Sequence, residues 1–237
     1  ELDVEPSPET IAAFEAAEHV ARESAGMPGP SRLVARRAEI ERIEPLLDRV
    51  AAGGSGGLVL RGPVGIGKTR LLREVAEYAS AAGWRVAWWQ ATDATRVLPF
   101  SQTTAALAAL APGEAASGWA EPGRSAAATA RSTGDPAVHL PFTTPAALLA
   151  GLVSAFDSAT LSGPVVIAVD DLPLLDDGSL DVLRAILPAL SHRPLLVAAT
   201  CRDDPAWPAG TTAFVDEVRR MGGLELAIGP LGPKDTE

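Results

Sequence analysis

Residues 58–69 read Leu58-Val-Leu60-Arg61-Gly62-Pro-Val-Gly65-Ile-Gly67-Lys68-Thr69. Leu58-Val-Leu60 predicts a short buried strand. From Lys68 onward, Leu71, Leu72, Val75 and Tyr78 recur at helical spacing and predict an inward face, with Ala82-Gly83 as the stop. Between strand and helix lies the pattern G-x-x-x-x-G-K-[ST], in the context that a phosphate-binding P-loop requires. Glycines let successive backbone N–H groups converge on an anion, where a Cβ would block the turn and the close approach. The helix beginning near Lys68 adds the positive end of its dipole. Lys68 can reach β- and γ-phosphates as a point charge, and the Thr69 hydroxyl can ligate Mg²⁺. Gly62, Pro63, Val64, Gly65, Ile66, Gly67, Lys68, Thr69 and Arg70 are therefore the expected phosphate-binding set for ATP or ADP.

Further along, Val165-Val-Ile-Ala-Val169 is wholly apolar and runs into Asp170-Asp171. Carboxylates at the C-terminal end of a buried strand stand where open α/β sheets bind ligands. Asp170 is expected to hold Mg²⁺ opposite Thr69, and Asp171 to orient or deprotonate an attacking water. The blander reading is a pair that caps a turn. Leu195-Leu-Val-Ala-Ala199 leads to Thr200-Cys201-Arg202. Arg202 can point at a γ-phosphate and add charge stabilisation, or it can be a surface residue paired with Asp203 or Asp204. Lys68, Asp171 and Arg202 are thus the catalytic candidates, and Thr69 and Asp170 the metal candidates.

The rest of the pattern alternates helices and strands. One helix carries Ile40, Ile43, Leu46, Leu47 and Val50, with Pro45 expected to kink it or start a new turn; Gly53-Gly-Ser-Gly-Gly57 is expected to end it. Arg85–Gln90 reads as a strand with Trp88 and Trp89 on opposite faces, followed by a small helix near Thr103–Leu110. Residues 111–138 are Ala, Gly, Ser, Pro and Glu without a period, and read as a mobile insertion. Three more helices follow, through Leu148–Phe156, Leu183–Leu190 and Phe214–Met221, and Leu224–Ile228 is a possible fifth strand. Two wholly apolar strands point to a parallel sheet of about five strands with helices on both faces.

Composition narrows the class. The 237 residues carry a formal charge of −10, which opposes direct nucleic-acid binding by this chain. The single cysteine, Cys201, excludes an internal disulfide and reads as a small core residue suited to a reducing cytoplasm. His19, His139 and His192 have no metal or triad spacing. No apolar run is long enough to span a membrane. Ser7-Pro8-Glu9 starts a helix, Met27-Pro-Gly-Pro-Ser31 reads as a linker, and both ends look like cuts within a longer protein.

With these residues in hand, the chain resembles the STAND signal-transduction ATPases found within large bacterial transcription regulators, across about residues 32–237. Leu33-Val-Ala-Arg36-Arg37-Ala-Glu39 is similar to the family's opening LVGRxxE segment, with Ala35 in place of glycine. That likeness implies Leu33, Val34 and Arg36 at the adenine pocket. Val169-Asp-Asp-Leu172 followed by Asp176 resembles hhDDLHWAD, though Leu172-Pro-Leu-Leu175 lacks the His-Trp pair. Leu195–Asp203 resembles the family's strand with its sensor arginine, and Gly229-Pro230-Leu231 its proline-leucine, which implies Pro230 against the base. The resemblance implies a P-loop NTPase fold of the ASCE/AAA-like kind. Glu1-Leu-Asp-Val-Glu-Pro-Ser-Pro-Glu9 is similar to the end of the activator domain of SARP-type regulators, which makes residues 1–31 the tail of a preceding helical domain plus linker.

The expectation is an ATP/ADP-dependent switch in a cytoplasmic regulator, with slow hydrolysis resetting it. DNA would be met only through domains absent from this chain, with ATP-dependent homo-oligomers as a possible output. Two alternatives stay open: a metabolic P-loop enzyme such as a small-molecule kinase, for which Arg124 and Arg131 are sparse lid arginines, and a scaffold that holds nucleotide without turnover.

Overall fold

The computed structural model describes residues 36–91, 100, 102, 103, 110, 145–204 and 206–230. Outside these residues lie Leu33, Val34, Ala35 and Leu231, the expected segments before 32, most of the small helix after Thr103, the 111–138 insertion, and Arg124, Arg131, His19 and His139.

Among the described residues the elements follow in the order α1 (Arg37–Ala51), β1 (Ser55–Gly62), α2 (Lys68–Ala81), β2 (Arg85–Gln90), α3 (Pro145–Thr160), β3 (Val165–Asp170), a 3₁₀ turn (Leu172–Leu174), α4 (Asp177–Ala189), β4 (Leu195–Arg202), α5 (Ala209–Arg220) and β5 (Leu224–Ala227). The strands form one sheet in the order β2-β3-β4-β1-β5, and every pairing is parallel. Val165–Val169 and Leu195–Ala199 are fully buried, as apolar strands covered on both faces must be.

Strand alternation sorts the side chains into two cores. Leu58, Leu60, Val166, Ala168, Leu196 and Ala198 face α1 and α2, packing with Ile43, Leu47, Leu71, Leu72 and Val75. Val59, Val165, Ile167, Val169, Leu195, Val197, Ala199 and Cys201 face α3, α4 and α5, with Phe156, Leu183, Ile186 and Phe214. Trp89 joins this second core, whereas Trp88 packs against the first. Period two then carries Gly62, Asp170, Thr200 and Arg202 to the α2 side at the C-terminal ends of their strands.

Two local expectations are corrected. Helix α1 contains Pro45 and runs to Ala51. Pro45 is exposed, so the carbonyl it leaves without a donor faces water instead of the core. The glycine run 53–57 does more than end that helix: Gly53, at φ 96°, breaks it, and Ser55–Gly57 already belong to β1. A Cβ at Gly56 would lie 2.4 Å from Leu46 Cδ1, and one at Gly57 2.8 Å from Val218 Cγ2, so glycine admits helices α1 and α5 close to the strand. Tyr78, expected inward, is 56% exposed; the buried face of α2 uses Ala76 and Ala79 beside Leu71, Leu72 and Val75.

Candidate nucleotide site

β1 ends at Gly62 and the chain turns back over the N-terminus of α2. Gly65 (φ 78°) and Gly67 (φ 101°) both occupy the left-handed region, and no atom lies within 4 Å of where a Cβ would stand at either. The glycines therefore serve backbone conformation and leave an open concavity at a helix N-terminus. Gly62 answers a different demand, because a Cβ there would meet the Ile228 carbonyl oxygen at 2.6 Å.

Lys68 folds back over the loop, and its Nζ donates to the carbonyls of Gly62 (2.9 Å) and Pro63 (2.8 Å). Pro63 and Val64 are exposed at the loop tip, and Arg70 is exposed on the first turn of α2. Arg36, just before α1, is only 5% exposed. Its Nη2 donates to the Ile66 carbonyl at 2.9 Å and its Nη1 to Glu39 at 2.8 Å. Arg36 thus braces the loop from behind.

The acidic half of the site stands across from Thr69. The Thr69 hydroxyl donates to Asp170 Oδ1 at 2.9 Å, and the Thr200 hydroxyl donates to the same oxygen at 2.8 Å. Thr200 also accepts the Asp171 backbone N–H at 2.8 Å. Asp171 leaves the strand in the left-handed conformation, φ 60° and ψ 57°, and opens the 3₁₀ turn. Its carboxylate takes a 2.7 Å ion pair from Arg202 Nη2. Strand β4 lies between β1 and β3, so Arg202 stands between the Lys68 loop and the Asp170–Asp171 end, in register with Gly62. Asp203, weighed as a partner for Arg202, instead pairs with Arg61 at 3.3 Å. Asp176 caps α4 through the Ser179 N–H and also accepts from the Phe100 N–H.

The structure brings Gly62, Lys68, Thr69, Asp170, Asp171 and Arg202 together. Pro230 is exposed, two residues beyond Ile228, whose N–H bonds the Arg61 carbonyl at 2.6 Å. Thr200 was not singled out by sequence; its signal was the alternation of β4, which points residues 200 and 202 the same way. Cys201 points the other way into the α3–α5 core, fully buried. Burial pushes its thiol up to about 12, which fits a core residue and not a nucleophile.

The donor set suits Mg²⁺. A hydroxyl and a carboxylate are hard oxygen ligands, and Mg²⁺ takes one or two carboxylates together with phosphate oxygens. Among the described residues, no group of three or more His, Cys, Asp or Glu could hold a metal ion. A cavity of about 510 Å³ lined by Arg61, Asp203, Asp204, Trp207 and Thr212 opens on the α5 side, next to the strand ends that carry Gly62 and Arg202. No helix among the described residues is long and apolar enough to cross a membrane.

Comparison with known proteins bears on the family and the fold. The profile of the AAA ATPase domain family matches residues 32–198. An uncharacterised protein of Rhizobium meliloti (strain 1021) is 29% identical over 234 residues, covering 89% of this chain but only 21% of its own length. The Cdc6p structure from Pyrobaculum aerophilum superposes with a TM-score of 0.54 at 15% identity, over 89% of this chain and 49% of that one. The ORC1 protein of Aeropyrum pernix, solved in complex with DNA, gives 0.49 at 20% identity, over 84% and 46%. The chain thus spans about a fifth of the curated relative and about half of these structures. It belongs to the AAA ATPase domain family, with the parallel α/β P-loop NTPase fold, and it is a nucleotide-binding domain.

Proposed function

We propose that this AAA ATPase domain is an ATP/ADP switch of the STAND class within a bacterial transcription regulator, working with Mg²⁺ and hydrolysing ATP slowly. One observation carries the reading: Arg202, on the strand between the Lys68 loop and the aspartate pair, is ion-paired with Asp171. A cation there would stand beyond the Lys68 cradle, where ATP and ADP differ.

The phosphates would take the loop N–H groups of residues 62–69 and Lys68 Nζ, which would exchange its bonds to the Gly62 and Pro63 carbonyls for phosphate oxygens. Thr69 and Asp170 would hold the metal. When bound, Mg²⁺ would neutralise charge on the β- and γ-phosphate oxygens. The base would lie against Leu33, Val34 and Pro230, as the family resemblance implies, with Arg36 fixing the loop below. Asp171 would orient the attacking water once Arg202 releases it.

Magnitudes favour that release. The Arg202 and Asp171 side chains are 54% and 26% exposed, and a solvated pair of this kind contributes about 0–1 kcal/mol. A charge-assisted hydrogen bond to a phosphate is worth about 1.5–3 kcal/mol. A γ-phosphate would therefore draw Arg202 from Asp171, biasing the domain by differential affinity.

In this reading ADP maintains a resting form and ATP favours one that oligomerises or frees a DNA-reading domain elsewhere in the protein. The net charge of −10 supports DNA contact outside this domain. Residues 1–31 would be the end of a preceding helical activator domain. Turnover measured against binding tests the proposal. Tight ADP binding with slow ATP hydrolysis supports it; tight binding with no hydrolysis in the whole protein would leave a scaffold instead.

A further inference from the structure

We infer that Thr200 is a positioning residue that aims both aspartates of the site, Asp170 through its side chain and Asp171 through its backbone. The inference rests on the Mg²⁺–nucleotide reading above.

Thr200 lies on β4 one step beyond the last ladder pair, Val169 with Ala199. It is 2% exposed. At this depth a hydroxyl must find partners, and Thr200 has two. It donates to Asp170 Oδ1 at 2.8 Å and accepts the Asp171 N–H at 2.8 Å. The acceptor bond meets the strand where it leaves the sheet, with Asp171 at φ 60°. A left-handed non-glycine residue holds its conformation only where its surroundings fix it. The N–H bond to Thr200 does so, and it sets the direction from which the Asp171 carboxylate meets Arg202.

The donor bond has a different consequence. Asp170 Oδ1 receives two hydroxyls, from Thr69 and from Thr200. A Thr69 oxygen that ligates a metal uses a lone pair and keeps its proton to donate, so both hydroxyls can hold Oδ1 with a metal present. The Thr200 bond differs in coming from the neighbouring strand and not from the loop that carries the phosphates. Thr200 then orients the metal-facing carboxylate independently of that loop while nucleotide is bound. Outer-shell partners of this kind typically contribute about 10–100-fold in metal affinity.

The test is the factor by which Mg²⁺ strengthens ADP binding, measured by titration with Mg²⁺ and with EDTA. Thr200→Val keeps shape and removes the hydroxyl; Thr200→Ser keeps the hydroxyl. The Mg²⁺ factor should fall about tenfold or more in the valine protein, with ADP affinity in EDTA unchanged, and should return to within about threefold of wild type in the serine protein. If valine does not fold, Thr200→Ala is read in the same way. An unchanged Mg²⁺ factor in a folded hydroxyl-free variant overturns the inference, as does an equal loss with and without metal. A wild type that binds ADP but is indifferent to Mg²⁺ refutes the metal reading and the inference with it; a wild type that binds no ADP refutes the nucleotide reading itself.

Discussion

Arg202 and Asp171 sit at the ends of neighbouring parallel strands and share a 2.7 Å ion pair, the arginine on β4 and the aspartate just past β3. In the proposed mechanism the two residues have opposite tasks, one to meet a γ-phosphate and the other to direct water at it. While paired, each occupies the other. The pair then holds only while no γ-phosphate is bound, and what frees Asp171 is the same phosphate that is cleaved.

The first test is of the loop. Mg-ADP at about 100 times its dissociation constant should stabilise the domain by about 2.7 kcal/mol, a rise in melting temperature of roughly 5–10 °C for a domain of this size. Lys68→Ala should lose most of that shift in differential scanning fluorimetry. An undiminished shift would remove Lys68 from the phosphate site.

Asp171→Asn separates binding from turnover. ADP affinity should stay nearly constant while ATP hydrolysis drops, because Asp170 and Thr69 are assigned to the metal and Asp171 to water. Steady-state hydrolysis together with titration decides it. A joint collapse of both quantities would contradict that division.

Gly62→Ala addresses the end of β1. Its Cβ would meet the Ile228 carbonyl oxygen at 2.6 Å and Ile66 Cγ2 at 3.2 Å. Backbone must move, so urea denaturation should show a loss of about 1–3 kcal/mol, typical of overpacking. An unchanged midpoint would show that the segment after β5 is free to shift.

Much of this was readable from sequence, and the misses share a physical cause. The apolar runs 165–169 and 195–199, the P-loop spacing and the aspartate pair required no tertiary information. The glycines at 56 and 57 look like a turn because their role, admitting Leu46 and Val218 against the strand, is visible only once α1 and α5 are in place. Tyr78 fits the helical period but falls at the margin of the buried stripe, where Ala76 and Ala79 let α2 approach the sheet. Thr200 was hidden by its ordinary residue type. Its importance comes from strand order, since β4 lies between β1 and β3 although it follows both in the chain. The ion pair of Arg202 with Asp171 has the same origin.

Cys201 provides a check on the core. It is the only cysteine, it is fully buried, and its thiol is pushed up to about 12 by burial. At pH 8 the native protein should resist a disulfide reagent such as dithiobis-nitrobenzoate and react with one equivalent in denaturant. Rapid native labelling would mean that β4 opens far more readily than its two-sided burial implies.

The most direct test of the switch is calorimetric titration of wild type and Arg202→Ala with ADP and with a non-hydrolysable ATP analogue. Only the γ-phosphate distinguishes the two ligands, and a switch can respond only to that difference. The account predicts that the substitution weakens binding of the ATP analogue by about 1.5–3 kcal/mol, the range for a charge-assisted hydrogen bond, and leaves ADP affinity nearly unchanged. Equal losses for both nucleotides, or no loss for either, would contradict it.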